Sequence, residues 1–180
     1  MSNRARWYIV PTDRWYIERT VWLVAGAVLL ASTAMALWVH PLWVLGVSAT
    51  AAASILVALT GFCIVGNVLA LLGFRPALAA PDWKPGQVYR MQSDRWYLER
   101  WIYLVVGINL SIASVLSLVH SPWWLAFTGF VGGAMVWFAA TGFCIMANGL
   151  YRLGAEPRLV PEQAPRGGAA GVPKGGRVTA

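Results

Sequence analysis

Charge is what this chain has least of. Asp, Glu, Lys and Arg make up 12% of its 180 residues, where a soluble domain carries roughly 25%. Half of the surface that keeps a soluble fold in water is missing, which excludes a soluble enzyme, a secreted disulfide module and a disordered chain. With two cysteines and two histidines no structural zinc site is expected, and two cysteines do not make a disulfide framework. The sequence has no Walker A phosphate loop, no G-x-S-x-G, no H-E-x-x-H and no C-x-x-C. Its apolar runs hold no charge that would mark an ion pathway.

What is present is hydrophobic: 58% of the residues, with 11 tryptophans. The net charge of +7 would suggest nucleic acid in a soluble protein. Here the basic residues sit outside the apolar runs, as membrane topology requires, and no nucleic-acid partner is expected.

The chain repeats itself. Asp13-Arg14-Trp15-Tyr16-Ile17-Glu18-Arg19 returns as Asp94-Arg95-Trp96-Tyr97-Leu98-Glu99-Arg100, and Thr60-Gly61-Phe62-Cys63-Ile64 as Thr141-Gly142-Phe143-Cys144-Ile145, both 81 residues on. A period of this length is a duplicated small domain and not a solenoid unit. The sequence divides into an N-terminal segment, 1–11, a first copy, 12–79, a linker, 80–92, a second copy, 93–160, and a tail, 161–180. Pro81, Pro85 and Gly86 make the linker irregular. The tail, rich in Gly, Pro and Ala, cannot bury enough apolar surface to fold and is expected to be disordered.

Each copy contains two apolar runs, 21–39 and 42–59, then 102–119 and 123–140. Runs of ~17–25 apolar residues cross a bilayer core of ~30 Å as helices. The joints, His40-Pro41 and His120-Ser121-Pro122, suit tight turns with proline at the start of the next helix. The expected fold is therefore all-α, with four transmembrane helices in two parallel-repeat hairpins about a pseudo-twofold axis. All 14 Lys and Arg lie before residue 20, between residues 75 and 100, or from Arg152 onward. The positive-inside rule places both termini and the linker in the cytoplasm of a multi-pass inner-membrane protein. Trp15, Trp22, Trp96 and Trp101 form one aromatic belt, and Trp38, Trp43, Trp123 and Trp124 the other. Ala34-Met35-Ala36 imitates a signal-peptide cleavage site, but the apolar run continues past it, so the first helix is expected to stay.

Cys63 follows Pro41 by 22 residues, roughly 33 Å of helix, which brings both cysteines to the cytoplasmic interface, where a structural disulfide is disfavoured. Asn67 and Asn148 each follow a cysteine by four residues, on one helix face. Cys63, Cys144, Asn67 and Asn148 form the candidate thiol site, able to accept sulfur, sense redox state or bind a soft metal. The competing and preferred reading is packing. Gly61 and Gly142, and the G-x-x-x-G pair Gly129 and Gly133, are expected at close helix contacts, within the chain or between subunits. Arg14, Glu18, Arg19, Arg95, Glu99 and Arg100 fall at the water–headgroup boundary, where ion pairs and lipid phosphate explain them. His40 and His120 are the remaining metal candidates, preferred as polar turn residues. No metal and no cofactor is expected.

A hairpin that opens with Glu-Arg and closes with Thr-Gly-Phe-Cys and then Leu-Gly resembles the YgaP-like transmembrane domain, a bacterial inner-membrane family of unknown function. The matching residues are Glu18-Arg19, Gly26, Thr60-Gly61-Phe62-Cys63 and Leu72-Gly73, and in the second copy Glu99-Arg100, Gly107, Thr141-Gly142-Phe143-Cys144 and Leu153-Gly154. Ile64 and Ile145 stand where the family usually has proline, which takes a proline break out of the helix. The resemblance implies paired hairpins fused in one chain, and an association with sulfur metabolism, because the domain also occurs attached to a sulfurtransferase domain. The expected function is non-enzymatic: a scaffold or accessory protein of a membrane assembly, embedded in lipid with a second copy or another membrane protein as partner. The alternative is handling or transport of sulfur species by Cys63 and Cys144.

Overall fold

The computed structural model describes residues 7–79 and 82–159; residues 1–6 and the tail lie outside them. The described residues are helical, with four long elements: α1 (Ile17–Trp38), α2 (Val44–Thr60), α4 (Leu98–Val119) and α5 (Trp124–Thr141). All four are long and apolar enough to cross a membrane. Two short helices follow the second and fourth, α3 (Ile64–Leu71) and α6 (Ile145–Arg152).

The turns form as the prolines require. Pro41–Trp43 is a 3₁₀ turn leading into α2, and the His40 Nδ1 accepts a hydrogen bond from the Leu42 amide at 3.2 Å. His120 Nδ1 accepts from Trp124 Nε1 at 3.3 Å. Each histidine is thus engaged within its own turn.

The second apolar stretch of each copy is not one helix. Losing the proline after the cysteine does not spare it, because the break comes earlier. Gly61 has φ +72° and Gly142 φ +73°, the left-handed conformation that ends a helix and is open to glycine at little cost. Cys63 and Cys144 are extended, and each starts a new short helix as its N-cap.

Packing crosses between the copies. α1 lies most extensively on α5 and α4 on α2, with less contact inside either hairpin. Lipid tails are as apolar as leucine, so helices in a bilayer associate through close backbone approach and polar bonds. Both occur here. A Cβ added to Gly26 of α1 would lie 2.9 Å from the Gly132 carbonyl oxygen of α5, and one on Gly107 of α4 would lie 3.0 Å from that of Ala51 in α2. Gly132 and Ala51 are themselves 81 residues apart. Deeper along α1 and α5, the buried hydroxyls of Thr33 and Thr128 meet at 2.8 Å.

Within the chain, the close approach on α5 falls at Gly132 and not at the expected Gly129 and Gly133. A Cβ on Gly133 would meet nothing within 4 Å, and one on Gly129 only an ordinary contact with Thr33. Gly132, between them, faces α1. The Trp22 assignment also changes. It is not in an aromatic belt but buried, its ring stacked on Tyr103 at 4.4 Å and edge-on to Phe138.

Candidate functional site: interlocked caps at one end of the bundle

The residues singled out by the repeat gather where α1 and α4 begin and α2 and α5 end. Glu18 and Glu99 are 1% and 2% exposed. Burying a carboxylate costs several kcal/mol unless hydrogen bonds replace its water. The Glu18 carboxylate accepts from the amides of Ala77 and Leu78 and from the Tyr89 hydroxyl at 2.9 Å. Glu99 accepts from the amides of Arg158 and Leu159 and from the Tyr8 hydroxyl at 3.0 Å. Burial beside a carboxylate pushes both tyrosine hydroxyls well up, so they remain protonated donors.

The arginines next to them serve carbonyls. A helix leaves its last four C=O groups without an intrahelical partner. Arg19 Nε donates to the Ala139 carbonyl at 2.7 Å, near the end of α5, and its Nη1 to those of Thr12 and Arg14. Arg100 Nε and Nη2 donate to Ala58 at the end of α2, and Nη1 to Ser93 and Arg95. Each guanidinium also lies over the ring four residues before it, Trp15 at 4.0 Å and Trp96 at 4.4 Å. The expectation of interfacial ion pairs for Glu18, Arg19, Glu99 and Arg100 is thereby corrected. Among the described residues the salt bridge is between Asp94 and Arg158, 2.8 Å. Arg14 and Arg95 are exposed and remain available to lipid phosphate. Arg14 borders a cleft of about 460 Å³ with Trp15, Arg75 and Pro76.

The asparagines complete the interlock. Asn67 Oδ1 accepts from the Tyr89 amide at 2.8 Å, and its Nδ2 donates to the Tyr89 and Cys63 carbonyls. Asn148 holds Tyr8 in the same way, Oδ1 to the amide at 2.7 Å and Nδ2 to the carbonyls of Tyr8 and Cys144. The extended segment before α4 is thus clamped by the first copy, and the one before α1 by the second. Gly61 and Gly142 belong to this interlock and not to a helix–helix seam. The Gly61 carbonyl accepts from the Met91 amide at 2.8 Å, that of Gly142 from Val10 at 3.0 Å. A Cβ at either glycine would lie 2.2–2.3 Å from the opposing carbonyl oxygen.

Neither asparagine meets a thiol. Cys63 is buried, and its Sγ accepts from the Gly66 amide at 3.2 Å as the N-cap of α3. Cys144 is half-buried and has no such bond. Burial pushes both thiols up, against the downward pull of the amides that follow each of them, so both are held as thiols. Cys144 also lines an apolar cavity of about 410 Å³ with Trp22, Phe127, Phe130 and Trp137, between α4 and α5.

Tyr8 and Tyr89 are the functional partners that reading the sequence missed. They are themselves a pair at the 81-residue offset, and extending the repeat four residues upstream of Thr12 and Ser93 finds them. Comparison of the chain with family models, with curated proteins and with solved structures finds no match.

Proposed function

We propose that this chain is a non-enzymatic protein of a bacterial inner membrane, of the YgaP-like type. Its two hairpin repeats are related by a pseudo-twofold axis along the membrane normal, with the termini and the segment between the repeats in the cytoplasm. It acts as a scaffold or accessory component of a membrane assembly. One observation carries this reading. The four buried charged side chains, Glu18, Arg19, Glu99 and Arg100, spend their hydrogen bonds on the chain's own backbone, with one tyrosine added at each glutamate. They work to hold the fold, and a substrate would find them occupied. Crosslinking in native membranes tests it. A second copy or a membrane partner joined to the chain is the expected result. A chain that stays monomeric and uncrosslinked overturns it.

The sulfur reading is favoured by one detail, the partial exposure of Cys144 to a cavity. Its thiol would attack the outer sulfur of a donor persulfide, taking up that sulfur and passing its proton to the donor, which leaves as its thiol. Replacing Cys144 with serine then abolishes sulfur transfer, whereas Cys63→Ser acts through stability. Transfer unchanged in the double variant sinks this reading.

A further inference from the structure

The cavity beside Cys144 carries more than a thiol. It lies between α4 and α5, below the elbow at Gly142, and its walls are almost entirely apolar. At about 410 Å³ it falls within the ~300–1,000 Å³ of small-molecule sites. Three features set it apart from a gap that a lipid tail fills.

The first is its lining. Phe127, Phe130 and Trp137 stand on α5 where the first copy has Gly46, Ala49 and Leu56. The duplicated helix has therefore acquired rings on this one face, with Phe130 and Trp137 exposed. Aromatic walls favour a flat guest through offset and edge-on contacts.

The second is Asn109, midway along a membrane-spanning helix and on the cavity wall. Asn109 is exposed on that helix face, and a polar side chain in a lipid-facing position is costly unless it finds partners. Its Nδ2 donates to the Val105 carbonyl at 2.8 Å. A carbonyl accepts only, which fixes which end of the amide is nitrogen. The Oδ1 therefore faces away from that bond, and among the described residues no donor meets it. The first copy has Val28 at this place.

The third is access. The cavity opens on helix faces that span the bilayer, so its occupant arrives dissolved in lipid.

We propose that this cavity binds a bilayer-dissolved ring compound carrying a hydroxyl, of the phenol or hydroquinone class, with the hydroxyl on Asn109 and the ring against Phe127, Phe130 and Trp137. A hydroxyl supplies the donor that Oδ1 lacks, and an acyl chain does not. The inference is independent of the scaffold reading, since it rests on the cavity's own lining.

The test uses the full chain in phosphatidylcholine nanodiscs, titrated calorimetrically with a 4-alkylphenol and with its methyl ether, which cannot donate. Saturable binding, about fivefold tighter for the phenol, is expected. Asn109→Leu should make the two ligands equal while keeping the ring bound. Ala134→Phe, a lipid-exposed change that fills the cavity, should remove saturable binding. Its counterpart in the first copy, Ala53→Phe, should leave it intact. Equal affinity for phenol and ether in the unaltered chain overturns the proposal. So does binding that survives Ala134→Phe, or a cavity that takes phospholipid chains alone.

Discussion

Glu18 and Glu99 meet two backbone amides and a tyrosine in the same way, 81 residues apart, and so do Arg19 and Arg100 with their helix-end carbonyls. The helices that follow do not keep this likeness. On the outer face of α2 stand Ala49 and Leu56, both exposed, and at the equivalent places on α5 Phe130 and Trp137. The difference separates two kinds of constraint. At the cap end each arginine answers a helix-end carbonyl of the other copy and each glutamate two amides of its own, so every one of these residues is tied to a buried backbone partner. On the outer face these positions are exposed, and there the copies differ.

The strongest way to break the equivalence is at the buried carboxylates. Glu18→Ala strands the amides of Ala77 and Leu78 and the Tyr89 hydroxyl in a buried place. The expected loss is about 3 kcal/mol or more. Tyr89→Phe removes one donor and leaves the carboxylate its two amides, at about 1 kcal/mol. Denaturant unfolding in detergent micelles checks both, beside Glu99→Ala and Tyr8→Phe. Matching losses in the two copies are expected. A marked inequality would mean that one cap alone holds the bundle.

The glycines at the elbows sharpen the comparison next. Gly61→Ala and Gly142→Ala place a methyl group against a backbone oxygen and force a positive φ on a residue with a Cβ. About 2–3 kcal/mol is expected at each. Gly73 also has a positive φ, +91°, but open space around it. Gly73→Ala should cost about 1 kcal/mol, and the difference measures the tight approach of the clamped segment.

The long helices could be read in the sequence because an apolar run between two short turns has few other solutions in a bilayer. The elbows could not. Gly61 sits among Thr, Phe and Cys in a run that stays apolar to Leu72, and nothing in hydropathy separates a helix that continues from one that restarts. Glu18 and Arg19 misled for a related reason. Charged residues beside tryptophans at a helix start look like headgroup contacts, and their true partners, Ala77, Tyr89 and Ala139, are distant in sequence. The pairing of α1 with α5 was hidden as well. Helices apolar on every side do not show which face is buried, and two similar copies make a partner within a copy look equivalent to one in the other.

A smaller effect separates neighbouring glycines on α5. Gly132→Ala puts a Cβ 3.0 Å from Leu30 Cγ and 3.2 Å from the Gly26 carbonyl oxygen, and about 1–2 kcal/mol is expected from crowding the α1–α5 crossing. Gly133→Ala meets nothing and should fall within about 0.5 kcal/mol of the parent. The same unfolding midpoints decide it. Equal effects would move the crossing away from Gly132.

The smallest expected effect lies at a cap position where charge divides the copies. Arg158 reaches Asp94 with both Nη atoms, at 2.8 and 2.9 Å, and its Nη1 also bonds the Gln92 side chain. In the first copy the place of Arg158 is taken by Ala77, so Asp13 has no such arginine. The Arg158 guanidinium beside Asp94 holds its carboxyl below the ordinary value, about 3.9. A carboxyl lowered in the folded state stabilises the fold above the unfolded value and loses that contribution as pH falls toward the folded one. The parent should therefore melt slightly above Asp94→Asn at pH 6, with the gap closing below about pH 4. The aspartate is more than half exposed, so solvent and ions screen the pair, and 0.5 M salt should shrink the gap at pH 6 as well. Asp13→Asn should show no such gap at either pH. A gap there equal to that of Asp94→Asn would mean that general surface charge, and not the bridge to Arg158, sets the effect.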